Sequence, residues 1–122
     1  MNNIGFGVIG CGSIAKKAFI PALIQSDVAQ LIGVASRSIE NVKSVSKNYD
    51  CRGFEEVSQL LSSEDINAVY IATPPSTHEE LILSAAKNGK HIICEKPLSI
   101  SLNSTERIIN ECKKNKIALL EG

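Results

Sequence analysis

The sequence predicts an α/β fold, a doubly wound and mostly parallel sheet covered by helices on both faces in three αβα layers. Three observations lead there. Short apolar runs alternate with longer amphipathic ones from end to end. Several of the short runs are apolar at consecutive positions, as strands buried on both faces read. A glycine-rich turn, Gly10-Cys11-Gly12, links the first apolar run to the first helical pattern, and the later connections have the length of right-handed strand–helix–strand crossovers.

The expected strands are Ile4 to Ile9, Leu31 to Ala35, Ala68 to Ala72, His91 to Cys94 and Ile117 to Leu120, each rich in Ile, Val, Leu or Ala. Between them apolar residues recur at three or four positions, the helical period. These sets are Ile14, Ala18 and Leu23; Val42 and Val45; Val57, Leu60 and Leu61; Leu81, Ala85 and Ala86; and Ile108, Ile109 and Cys112. Pro21 lacks an N–H and predicts a kink or a break into two short helices. Asn88-Gly89-Lys90 is a stop for the helix before it, because glycine readily takes the left-handed cap. Ser76 or Thr77 is placed to cap the fourth helical segment, and Ser99 or Ser101 the fifth.

With 122 residues, 43% hydrophobic and 21% charged, the chain has the composition of one globular domain with its own core. It shows no internal repeat, linker or low-complexity tract. Thirteen basic and thirteen acidic side chains cancel, leaving no net field toward nucleic acid or an anionic membrane, so bound phosphate must be held locally. No apolar run approaches the roughly 18 to 20 residues of a bilayer span, and Ile4 to Ile9 lacks the basic lead and cleavage site of a signal peptide. A cytoplasmic protein is expected. Cys11, Cys51, Cys94 and Cys112 are irregularly spaced and accompanied by only two histidines, which favours reduced thiols and no metal site.

Gly10-Cys11-Gly12-Ser13-Ile14-Ala15 follows a buried strand and opens a helix, the context in which a GxGxx[GA] pattern binds a dinucleotide. Gly10 makes the tight turn, Gly12 lets the pyrophosphate approach the backbone, and Ala15 permits close packing of helix on strand. N–H groups around Ser13 and Ile14 then meet the phosphates at the helix N-terminus. A ligand-free glycine turn is the plainer alternative. After the second strand, where an NAD-selective domain carries an acid for the ribose 2′-hydroxyl, stands Ser36-Arg37-Ser38. The Arg37 fork suits a 2′-phosphate, with Ser36 and Ser38 as small donors, so NADP is favoured over NAD; a solvated arginine is the alternative.

Thr73-Pro74-Pro75-Ser76-Thr77-His78 and Glu95-Lys96-Pro97 follow the third and fourth expected strands, at the carboxyl edge where open α/β sheets bind ligands. An ammonium at Lys96 can polarise a substrate carbonyl and stabilise negative charge during hydride transfer. Glu95 can orient Lys96 or meet the cofactor, and Pro97 restricts the backbone beside it. His78 reads equally as a cofactor contact or as a structural hydrogen-bonding residue. A solvated Glu-Lys pair is the plain reading of the last motif.

Together Gly10–Ala15 with Pro21-Ala22-Leu23, Ala35-Ser36-Arg37, Ala72-Thr73-Pro74 with His78, and Gly89-Lys90-His91 running into Glu95-Lys96-Pro97 resemble the cofactor domain of the Gfo/Idh/MocA oxidoreductases. The resemblance covers essentially the whole chain. It implies a Rossmann NAD(P)-binding domain over residues 1–122, cofactor contacts from Gly10, Gly12, Ser13, Ile14, Ala15, Ser36, Arg37, Ser38, Thr73, Pro74, His78, Glu95, Lys96 and Pro97, and Lys96 as the active-site lysine. It further implies oxidation or reduction of a secondary alcohol or carbonyl on a sugar, cyclitol or diol.

Members of the family usually carry a second α/β domain that shapes the substrate pocket and forms an oligomer contact. Leu119-Leu120-Glu121-Gly122 resembles the crossing point into it, so residues 1–122 alone are expected to bind NADP without turning over substrate. A non-catalytic sensor of the same family is the alternative. A methyltransferase also has a glycine loop after its first strand, but it wants an acid where Ser36-Arg37 stands.

Overall fold

The computed structural model describes residues 3–122, so the first two residues of the 1–122 domain lie outside the described residues. Six strands form one sheet in the order β3-β2-β1-β4-β5-β6, with β1 at Ile4–Ile9, β2 at Ala29–Ala35, β3 at Arg52–Phe54, β4 at Ala68–Ile71, β5 at His91–Cys94 and β6 at Leu119–Glu121. Every pairing is parallel. The order reverses between β1 and β4, and that reversal opens a crevice at the carboxyl edge.

Helices cover both faces. Val57–Leu61 (α3), His78–Lys87 (α4) and Leu102–Lys114 (α5) pack on one side, where Leu60, Ile82, Ala85 and Ile108 meet Ile9, Val69, Ile71 and Ile92. On the other side Ile20–Ile24 (α1) and Ile39–Tyr49 (α2) bring Ile20, Val42 and Val45 against Val8, Val34 and Tyr70. The ring of Phe19 lies flat on that of Tyr70, with centroids 3.8 Å apart. Successive strand residues thus feed opposite cores, the physical origin of the unbroken apolar runs. Among the described residues no helix is long and apolar enough to cross a membrane.

The expected break near Pro21 takes a specific form. Residues Ala15–Phe19 make one π turn, closed by the Ile20 N–H donating to the Ala15 carbonyl, and Pro21 then sits at the start of α1. The wide turn shifts the helical phase. Ala15, Ile20 and Leu23 are therefore the buried residues, while Ile14 and Ala18 from the expected face turn outward. Ile109 likewise points to solvent beside buried Ile108 and Cys112.

Three other expectations change. Strand β3 adds to the five expected strands, and apolar patterning does not mark it because Arg52-Gly53-Phe54 offers one apolar residue at a sheet edge. The last strand starts at Leu119 rather than Ile117: the Ile117 N–H is spent on the Cys112 carbonyl in the cap of α5, and Lys116 takes a left-handed φ of 57°. Neither Ser76 nor Thr77 caps α4 with its side chain; the Thr77 hydroxyl donates to the Pro74 carbonyl instead. Ser101 does cap α5, accepting from the Ser104 N–H, and Gly89 adopts the left-handed φ of 75° after α4.

Candidate functional site

Because all strands run the same way, their ends meet on one edge. Ala35, Ile9, Ile71, Cys94 and Glu121 stand side by side in register across five strands. The residues immediately after this rung are Ser36, Gly10, Ala72, Glu95 and Gly122. The Gly10 loop, Ser36-Arg37, Ala72-Thr73 and Glu95-Lys96 thus leave the sheet at one height.

A cavity of about 510 Å³ lies over β1 and β2, and it is lined by Gly10, Gly12, Ser36, Arg37, Thr73 and Pro74. The two glycines differ. Gly10 has a φ of 96°, and a Cβ there would lie 2.4 Å from the Ala72 carbonyl oxygen, so the turn admits glycine only. A Cβ at Gly12 would meet no heavy atom within 4 Å. Its missing side chain leaves open space in the cavity wall, as close approach by a ligand's phosphates requires. Ala15 is fully buried, whereas Ser13 and Ile14 are exposed and lie outside the cavity lining.

Arg37 is exposed at the end of β2. Ser36 accepts from the Ser38 N–H at 3.3 Å, and Ser38 accepts from the Asn41 N–H at 3.2 Å as the cap of α2. Ser38 therefore serves the helix and lies outside the cavity lining, while Ser36 keeps its hydroxyl hydrogen to donate. The structure adds residues that no motif marked. Asn41 lines the cavity beside Arg37 and accepts from Lys16 Nζ at 2.8 Å, which leaves its amide hydrogens to donate elsewhere. Glu55 and Glu56, in the turn after β3, also line the cavity. Their signal was lost with β3 itself.

Lys96 lies beyond the cavity, just after β5, with its side chain exposed and in no ion pair among the described residues. The Lys96-Pro97 bond is cis. Glu95 does not pair with its neighbour. Its backbone N–H closes the ladder on the Ile71 carbonyl, and its carboxylate lies against Gly122 and Tyr70. Burial pushes the Tyr70 phenol up to about 12, and the Glu95 charge adds to that. Cys94 is likewise pushed to about 12, first by burial and then by the charges of Glu121 and Glu95, so this buried thiol stays protonated.

His78 is fully buried, with ring nitrogens on the carbonyls of Pro97 and Thr73. It has no polar atom left for a ligand, so of the two readings open in the sequence the structure assigns it the structural one. Among the described residues no group of three His, Cys, Asp or Glu could hold a metal ion.

A 3-2-1-4-5-6 parallel sheet with a glycine turn at its switch point defines a dinucleotide-binding domain of the Rossmann class. The family model described as "Oxidoreductase family, NAD-binding Rossmann fold" matches residues 4–122. The chain belongs to that family, Gfo/Idh/MocA. It is 30% identical over 119 residues to the dTDP-3,4-didehydro-2,6-dideoxy-alpha-D-glucose 3-reductase of Saccharopolyspora spinosa, a match covering 98% of this chain and 36% of the relative. It is 32% identical over 120 residues to the NADP(+)-dependent scyllo-inositol 2-dehydrogenase of Bacillus subtilis strain 168, covering 98% and 36%. Its backbone superposes with a TM-score of 0.95 on a 3-ketoreductase from Actinomadura kijaniata in complex with NADP and TDP-benzene, at 32% identity over 99% of this chain and 37% of that one. The chain thus spans little more than a third of the length of these proteins.

Proposed function

We propose that residues 1–122 are the cofactor domain of an NADP-preferring oxidoreductase acting on a secondary alcohol or carbonyl of a sugar, cyclitol or diol. One observation carries this reading: Arg37, the Gly10–Gly12 loop and Lys96 follow, in that spatial order, strands that end on a single sheet edge at one height, and it supports an adenosine side at Arg37, a pyrophosphate turn at the loop and a reactive end at Lys96. Gly10 makes the turn and Gly12 admits the pyrophosphate, and Arg37, Ser36 and Asn41 hold the 2′-phosphate. The bound nicotinamide supplies or accepts hydride. Lys96 donates to the substrate oxygen and stabilises the negative charge that develops there.

Two relatives are named for reactions on sugars or an inositol, and one of those names specifies NADP. Substrate is proposed to be held partly by sequence corresponding to the remaining length of those relatives. Lys96→Met in the whole protein tests the assignment. NADP affinity should stay within about twofold while turnover falls roughly a hundredfold or more, the effect of losing one charged transition-state donor. Turnover within threefold of wild type would remove Lys96 from the chemistry and favour a sensor.

A further inference from the structure

We propose that His78 is a positioning residue that locks the Lys96 segment to the cofactor loop, an inference that rests on the function proposed above. After the Glu95 N–H bonds the Ile71 carbonyl, the ladder gives Lys96 no further support, and Pro97 has no N–H to offer. Two side chains take over. The Leu98 N–H donates to Glu121 Oε2 at 2.8 Å. On the other side His78 Nδ1 lies 2.9 Å from the Pro97 carbonyl oxygen and 3.3 Å from that of Leu98. The backbone of Lys96 is thereby fixed both before and after the residue.

The second ring nitrogen, Nε2, lies 2.9 Å from the carbonyl oxygen of Thr73, a residue that lines the cavity. Backbone carbonyls only accept, so the ring serves both loops when each nitrogen carries hydrogen. A fully buried apolar residue would fill the same volume but leave two carbonyls without a partner. His78 therefore does more than fill space, because one rigid ring sets the distance between the loop that lines the cavity and the loop that carries the ammonium.

Two substitutions separate the arms. His78→Asn places its amide near Nδ1 and keeps the Pro97 bond; His78→Gln places it near Nε2 and keeps the Thr73 bond. NADP affinity is read by calorimetry, and Lys96 by the NMR signal of its 13C-dimethylated amine, assigned through Lys96→Arg. His78→Asn should weaken NADP roughly tenfold to hundredfold, the worth of one hydrogen bond from a charged donor, with the unliganded Lys96 signal unmoved. His78→Gln should hold NADP within about twofold yet displace the Lys96 signal and abolish its response to NADP.

Parallel changes in both readouts, or a lowered unfolding midpoint with neither readout moved, would overturn the proposal. If either variant fails to fold, the long-range 1H–15N spectrum of the wild-type imidazoles decides. Two slowly exchanging ring N–H protons on His78 are expected, and a single one refutes the two-armed clamp. A wild-type chain that does not bind NADP would defeat the proposed function instead, with the unliganded Lys96 signal of His78→Gln still testing the clamp.

Discussion

Alanine at Gly10 and alanine at Gly12 should fail in opposite ways, although the two residues share one turn. At Gly10 the backbone φ of 96° is unfavourable for any side chain, and the new Cβ would lie 2.4 Å from the Ala72 carbonyl oxygen and 3.0 Å from Thr73 Cγ2. A side chain forced into that region costs about 1–3 kcal/mol, and the β4 end must also shift, so a total of at least about 2 kcal/mol is expected. For a domain of this size that lowers the unfolding midpoint by roughly 6–10 °C. At Gly12 no heavy atom lies within 4 Å of the added Cβ. Stability should hold or rise slightly, by up to about 1 kcal/mol through the unfolded chain.

On the proposed function, the Gly12 methyl instead enters the space a pyrophosphate would take. One displaced charge-assisted bond of about 1.5–3 kcal/mol weakens NADP roughly tenfold to hundredfold. Thermal unfolding and calorimetric titration of both variants provide the test. Wild-type NADP affinity in Gly12→Ala would refute the argument, because the open space would then have no ligand to receive.

Arg37→Ala should weaken NADP by roughly tenfold to hundredfold, one charged hydrogen bond, while sparing NAD; equal losses in paired titrations would show that Arg37 does not read the 2′-phosphate. The acid limb of stability should carry the signature of Glu79. Its hydrogen bonds from Arg107, at 2.7 and 2.9 Å, hold the carboxyl at about 2, below its ordinary 4.5. A depressed folded-state value contributes stability above the ordinary value and loses it as pH falls toward the depressed one. The unfolding midpoint of wild type should therefore fall between about pH 4.5 and pH 2, and Arg107→Ala should flatten that slope. An unchanged slope would mean that this exposed pair is screened by solvent.

How much was legible follows from what each residue does. Ile4–Ile9 and His91–Cys94 were readable to the residue because strands buried on both faces carry no competing signal. Arg52–Phe54 was not, since an edge strand half in solvent needs no apolar run. Its loss hid Glu55 and Glu56, which follow β3 and line the cavity. Periodicity also misplaced Ile14 and Ala18, for a π turn alters the very period being counted. Gly10 and Gly12 were legible as a pattern, but which of them serves the turn and which faces open space depends on contacts with Ala72 and Thr73, more than sixty residues away in sequence. His78 was visible as a residue and ambiguous in its role, because a carbonyl partner leaves no mark on the sequence.

The shared rung of Ala35, Ile9, Ile71 and Cys94 fixes how independently the site can be altered. Arg37 and Lys96 follow strands three spacings apart, about 14 Å at the usual interval between strands. That exceeds the range over which substitutions ordinarily interact, so their free-energy effects should add. On the proposed function, cofactor preference can then be exchanged at the β2 end without disturbing the lysine, whereas substitutions at Thr73 and Pro97, which share one imidazole, should not add.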